Sequence, residues 1–237
     1  MNPARVGAVA LLLAAPAVAA GVVADPAPSL PASVVTRLPT RERVVALTFD
    51  ACQANARMHL DHGITDYLLG RGVPFTVFVG GRFARDNAAE VHALAGNPLV
   101  SLQNHSWSHP RDMRLLSDDQ VRSEVTRAAQ ALQQAGARAP TLFRFPGGND
   151  DERTVALAEQ LGYRVIQWRW AEGDPARSVD AERLVEQTLQ RTRAGDILIF
   201  HVNGRGFHTA EALPRIIDGL TARGFRFVKV DDYVAPR

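Results

Sequence analysis

Cysteine is almost missing from this chain: Cys52 is the only one in 237 residues. A single thiol cannot close an internal disulfide, so the fold must stand on its own core. Lysine is as scarce, Lys229 being alone, and nearly every basic side chain is an arginine. The 27 basic residues barely exceed the 25 acidic ones, for a net charge of +2. No basic cluster stands out, so no nucleic-acid partner is expected. Long apolar runs are lacking too. The candidate "VGAVALLLAAPAVAA" follows the positive start "MNPAR" and is too short to suggest a spanning helix. It closes on Ala17-Val18-Ala19, a cleavage pattern, and therefore reads as a signal peptide over residues 1–19. No cysteine follows it to carry a lipid. The expectation is a periplasmic or secreted protein with no stable membrane span after cleavage.

What is present is ordinary globular material, 46% hydrophobic and 22% charged. Residues 20–42 include "DPAPSLPASVVTRLP", proline-rich and aperiodic, and read as a tether outside the fold. Residues 43–237 read as one domain. Strand-like runs recur there as "VVALTF", "PFTVFVG", "LVSLQNH", "TLFRFP", "RVIQWRW", "DILIFHV" and "FRFVKV". Helical patterns lie between them. In "SDDQVRSEVTRAAQALQQAG" the residues Val121, Val125, Ala128 and Leu132 share a face, Ser117 and Gln120 form a capping box, and Gly136 ends the helix. "TAEALPRIIDGLTARG" carries the stripe Leu213, Ile216, Ile217 and Leu220, with Thr209 as expected cap and Gly224 as stop. Strands that are apolar throughout and alternate with helices predict a parallel sheet. Seven such units suit a small β/α barrel better than an open doubly wound sheet.

Parallel β/α folds place their chemistry at the carboxyl ends of strands. The unusual residues of this sequence gather at those ends. "VVALTF" exits at Asp50, and "LVSLQNH" runs into "NHSWSHP" with His105 and His109. "TLFRFP" carries Arg144, "WRWAEGDP" leads to Asp174, and "IFHVNGRG" brings His201. Taken singly these are weak signals, since a strand-end aspartate is commonly a turn residue. Taken together, two imidazoles four positions apart beside a carboxylate and a third histidine suggest a divalent-cation site, with zinc expected and cobalt as the alternative. His59, His62 and His92 read as solvated or structural. His208 is near enough to His201 to touch a ligand but also reads as a helix entry.

In this order the segments resemble the polysaccharide deacetylases, carbohydrate esterase family 4 with its NodB-like domain. "TFDA" stands against TFDD, "HSWSH" against H-[ST]-x-x-H, "RFPGG" against R-x-P-Y-G, "WRWAEGDP" against a segment closing on Asp-Trp, and "IFH" against L-x-H. The resemblance spans roughly residues 43–233. It implies a distorted (β/α)7 barrel with a parallel strand core and metal-dependent deacetylation of an acetylated polysaccharide or oligosaccharide. It implies Asp50 as catalytic base, His201 as acid, Arg144 orienting the base, Asp174 supporting the acid, and His105 and His109 as metal ligands.

Three departures stand out. The family's second aspartate, usually the third protein ligand, is Ala51; its tyrosine is Gly147; and the tryptophan after the supporting aspartate is Pro175. The lost ligand could be replaced by Asp50 itself, by an acidic residue of the next loop with Asp61 the first choice, or by water. "DAC" looks like a bacterial subgroup of the family, and Cys52 reads as a small buried residue rather than a ligand. The expected activity is removal of N-acetyl groups from peptidoglycan, a chitin-like polymer or an exopolysaccharide, with a metal-activated water attacking the carbonyl. O-acetyl esterase activity, glycan binding on a deacetylase scaffold, and a metal-free amidohydrolase remain as alternatives.

Overall fold

All eight residues of Val44–Ala51 are buried, as a run apolar on both faces requires. The computed structural model describes residue 1, residues 33–53 and residues 56–236. The proposed signal peptide lies outside the described residues. Among the described residues eight strands form one sheet: β1 (Val34–Val35), β2 (Val44–Ala51), β3 (Phe75–Val79), β4 (Val100–Asn104), β5 (Leu142–Phe143), β6 (Arg164–Ile166), β7 (Ile197–His201) and β8 (Arg226–Val228). Their order is β1-β6-β5-β4-β3-β2-β7, with β8 beside the start of β2, and all seven pairings are parallel. The two ends of that order are stitched together by an antiparallel bridge between Arg37 and Asp196. Leu38 N–H adds a 2.8 Å bond to the Gly195 carbonyl. The result is the irregular α/β barrel with a parallel core that the strand pattern predicted.

One boundary differs from expectation. Val34 and Val35 pair in register with Val165 and Ile166, so the fold takes in residues from the end of the segment read as a tether. Two valines amid prolines carry too little pattern to announce a strand; β6 supplies the missing partner.

The helices are α1 (His62–Gly70), α2 (Gly81–Asp86), α3 (Ala88–Ala95), α4 (Asp118–Gln134), α5 (Glu152–Gln160), α6 (Ala181–Arg191) and α7 (Thr209–Ala222). On α4 the Ser117–Gln120 capping box forms, worth about 0.5–2 kcal/mol. The stripe Val121, Val125, Ala128 and Leu132 is wholly buried, at about 1.5–3 kcal/mol for each larger side chain. Gly136 takes φ 91° to leave the helix. Asp151 and Thr154 cap α5 in the same reciprocal way. Thr209, expected to cap α7, is instead its first residue; His208 holds the cap position without a side-chain bond.

Alternation along β2 sorts the core into two layers. Val45, Leu47, Phe49 and Ala51 pack outward with Ile64, Leu68, Leu213 and Ile217 of the helices. Val44 and Ala46 face inward with Phe78, Leu142, Ile166 and Ile197. Asp50 shares the inward parity, which puts a carboxylate at the inner mouth of the barrel.

Candidate active site

Asp50 is 3% exposed and its two oxygens are divided between two partners. Oδ1 accepts a 2.9 Å hydrogen bond from the Arg144 guanidinium, and Oδ2 lies 3.4 Å from Nε2 of His105. Arg144 is itself fully buried, with its guanidinium carbon 3.9 Å from the Phe78 ring centroid and 5.5 Å from that of Trp168. Burial pushes the Asp50 carboxyl up, but in the acid range where it would titrate the attraction of protonated His105, then of Arg144 and His201, outweighs burial and holds the group below its ordinary range. Burial also lowers His105, so at neutral pH the imidazole is uncharged and Arg144 is the lasting cation.

The two motif histidines sit on a turn fixed from several sides. Ser106 and His109 both adopt left-handed backbone, φ 65° and 54°, a strain of roughly 1–3 kcal/mol each. The turn is pinned by Asn104 Oδ1 accepting from Ser106 N–H at 3.0 Å and by Glu124 accepting from Ser108 N–H and Oγ–H at 2.8 and 2.7 Å. Ser106 and Trp107 carbonyls accept from Gly81 and Arg82 N–H at the start of α2. The rings of His105 and His109 are 5.2 Å apart. Burial, then the neighbouring His105, lowers His109 to about 4, so both imidazoles are neutral and available as ligands at pH 7.

His105 Nδ1 is 2.9 Å from the Arg144 carbonyl, which fixes Nε2 as the remaining nitrogen. That Nε2 is buried and has no hydrogen-bond partner. One potential ligand atom each from His105, His109 and Cys52 lie mutually within 4.8 Å. The orphaned nitrogen and the nitrogen–sulfur donor set fit a borderline cation such as zinc. Ala51, in contrast, is wholly buried in the outer core. Asp61, the first choice to replace its carboxylate, is the cap of α1 and accepts from Gly63 N–H at 2.9 Å.

Across from Asp50, His201 Nδ1 is 2.9 Å from Oδ1 of Asp174. Oδ2 of the same carboxylate accepts from the His201 backbone N–H at 2.6 Å and from Thr209 Oγ–H at 2.9 Å. Gly206 lets the loop close on this cluster: a Cβ there would come within 2.4 Å of Thr209 Oγ1 and 2.8 Å of Asp174 Oδ2. All six residues singled out by the motifs, Asp50, His105, His109, Arg144, Asp174 and His201, therefore meet around the barrel mouth. His59, His62, His92 and His208 are not part of the cluster; His62 lies 3.2 Å from Glu90 and His208 3.6 Å from Glu211.

Sequence reasoning missed Thr209, Gly206 and Glu172. Glu172 is buried, accepts from Ile199 N–H at 3.1 Å, and is raised well above the usual carboxyl range by that burial. Its place in "WRWAEGDP", two residues before Asp174, was the available signal. Cys52, which reads from sequence as a packing residue, lies instead beside the two motif histidines.

The profile of the polysaccharide deacetylase family matches residues 37–166. A peptidoglycan-N-acetylglucosamine deacetylase of Bacillus cereus is 26% identical over 203 residues, covering 84% of this chain and 92% of its own. A bifunctional xylanase/xylan deacetylase of Cellvibrio japonicus is 31% identical over 67% of this chain and 23% of its own length. Among solved structures, a family 4 carbohydrate esterase from Streptomyces lividans in complex with acetate superposes with TM-score 0.68 at 26% identity, covering 82% and 98% of the two chains. A Bacillus anthracis pseudoenzyme of the same esterase family shares the fold, with TM-score 0.76 at 22% identity over 86% and 69%.

Proposed function

This chain belongs to the polysaccharide deacetylase family, and from that membership we propose that it is an exported hydrolase removing N-acetyl groups from an amino-sugar polysaccharide. The pairing of Asp50 and His201 at neighbouring strand ends carries the proposal. One is tied to a buried guanidinium and the other to a buried carboxylate, as a base and an acid on opposite sides of one bond would need. Glycan binding alone has no evident use for that arrangement.

His105 and His109 are the residues that would hold a divalent cation. When bound, zinc would supply Lewis acidity to the acetyl carbonyl and to water beside it. The chain's own groups do the rest. Asp50, kept ionised by Arg144, takes a proton from the water that attacks the carbonyl carbon. The carbon–nitrogen bond then breaks as His201 gives a proton to the departing amine nitrogen, leaving acetate and a free amino sugar. Asp174 occupies Nδ1 of His201, which fixes the ring so that Nε2 is the nitrogen that delivers the proton. Thr209 and the His201 backbone hold Asp174 in turn.

Export rests on residues 1–19, with their positive start, short apolar run and Ala-Val-Ala. Among the described residues no helix is long and apolar enough to cross a membrane. The deciding experiment is acetate release from peptidoglycan, chitin oligomers, an acetylated exopolysaccharide and acetyl-xylan, for the wild type and Asp50→Asn. Release from the amino-sugar polymers, lost in the variant with the fold intact, is expected. Release from xylan alone would make the protein an O-acetyl esterase, and turnover indifferent to Asp50→Asn would remove that residue from the mechanism.

A further inference from the structure

The position after Ala51 restores what Ala51 gives up. We propose that Cys52, as its thiolate, is the third protein ligand of the metal site, making it a two-histidine, one-sulfur centre for zinc or a similar thiophilic cation. The inference rests on reading His105 and His109 as the metal pair. It goes beyond that reading by naming the missing ligand and the class of metal.

Three observations carry it. Ligand atoms of Cys52, His105 and His109 lie mutually within 4.8 Å, although Cys52 is 53 and 57 positions from the histidines in the chain. The neighbouring His105 Nε2 is completely buried and makes no hydrogen bond, although Asp50 Oδ2 lies 3.4 Å away, and a buried nitrogen left so needs a reason. The sulfur, finally, has a donor beside it: Asn203 Nδ2–H lies 3.4 Å away. Asn203 additionally bonds the Cys52 carbonyl, so the residue is held at both ends. A sulfur kept only for packing would face apolar atoms.

The two carboxylate alternatives for the lost ligand fit less well. Asp61 is committed to its helix cap. Asp50 is bound by Arg144, and enlisting it as a ligand would take the base out of proton transfer. A thiolate supplies the same single negative charge as the family's aspartate, so two neutral imidazoles and one anion are kept. It also shifts the preference of the site: sulfur with two imidazoles favours zinc over hard, oxygen-seeking cations such as magnesium. Burial, then the Asp50 charge, pushes the free thiol up to about 12, so its proton leaves to solvent only as the sulfur–metal bond forms.

The test uses the full mature chain loaded with cobalt(II) and, separately, with zinc. A sulfur-to-cobalt charge-transfer band in the near ultraviolet is expected, together with a zinc absorption-edge shell at about 2.3 Å beside nitrogen and oxygen at about 2.0–2.2 Å. Cys52→Ala should lose the band and the sulfur shell and weaken metal affinity by at least about tenfold. Since Cys52 is the only cysteine, any sulfur signal of this kind is its own or a methionine's, and the variant separates the two. The wild-type spectra also stand without the variant should it fold poorly. Metal bound with only nitrogen and oxygen neighbours would overturn the thiolate while leaving the deacetylase reading intact. No binding of either metal would overturn both. A sulfur-ligated metal without acetate release would keep the site and sink the proposed activity.

Discussion

Asp50 and His201 are register partners, facing each other across the parallel pairing of β2 and β7. Their chain separation spans most of the domain, yet their strands are adjacent and each ends at the same rim. Each is locked from behind by a group of opposite character, Arg144 for the carboxylate and Asp174 for the imidazole.

Arg144→Met should therefore harm stability and activity together. It strands a buried carboxylate, and breaking a buried pair costs about 3–5 kcal/mol. Urea denaturation should show that loss, and acetate release should fall. The double variant Arg144→Met with Asp50→Asn should recover much of the stability and none of the activity. A double variant as unstable as the single one would mean that lost packing on Phe78, rather than the unpaired charge, dominates.

Asp174→Asn is expected to lower kcat by on the order of 10²–10⁴, the range for a disabled acid–base group, with KM little changed. Gly206→Ala should act in the same direction without touching a reacting group, because its Cβ would collide with Thr209 and Asp174. Steady-state kinetics checks both. Normal kcat in Gly206→Ala would show that the loop relaxes without disturbing the His201–Asp174 bond.

Glu172 supplies a pH signature. Its folded-state pKa is raised, by burial above all, so between about pH 4.5 and that higher value the folded chain holds a proton the unfolded chain has released. Stability from this group is fully present below pH 4.5 and declines as pH rises. Glu172→Gln keeps an acceptor for Ile199 N–H and removes the titration. The variant should gain on the wild type by up to about 1.4 kcal/mol per pH unit through that window. Parallel stability curves for the two proteins between pH 5 and 8 would contradict the assignment.

Chelation should abolish acetate release, and zinc or cobalt should restore it, with His105→Ala refusing rescue. Full turnover by protein shown to be metal-free would instead favour Asp50 and His201 acting alone.

Local pattern wrote much of the architecture into the chain. The apolar runs marked seven of the eight strands among the described residues, the Ser117–Gln120 box and Gly136 bounded α4, and polar residues at strand exits named the rim. Those features depend on neighbours a few positions away, where periodicity and capping chemistry are decisive. Tertiary structure alone decided the others. Val34–Val35 became a strand because β6 offered an edge, and Thr209 left its expected cap to bond Asp174. The direction of the Cys52 sulfur is the plainest case, because alternation ends with the strand and nothing within the motif says where the next side chain points. Only the folding of the His105–His109 turn against that strand end brings the two histidines to it.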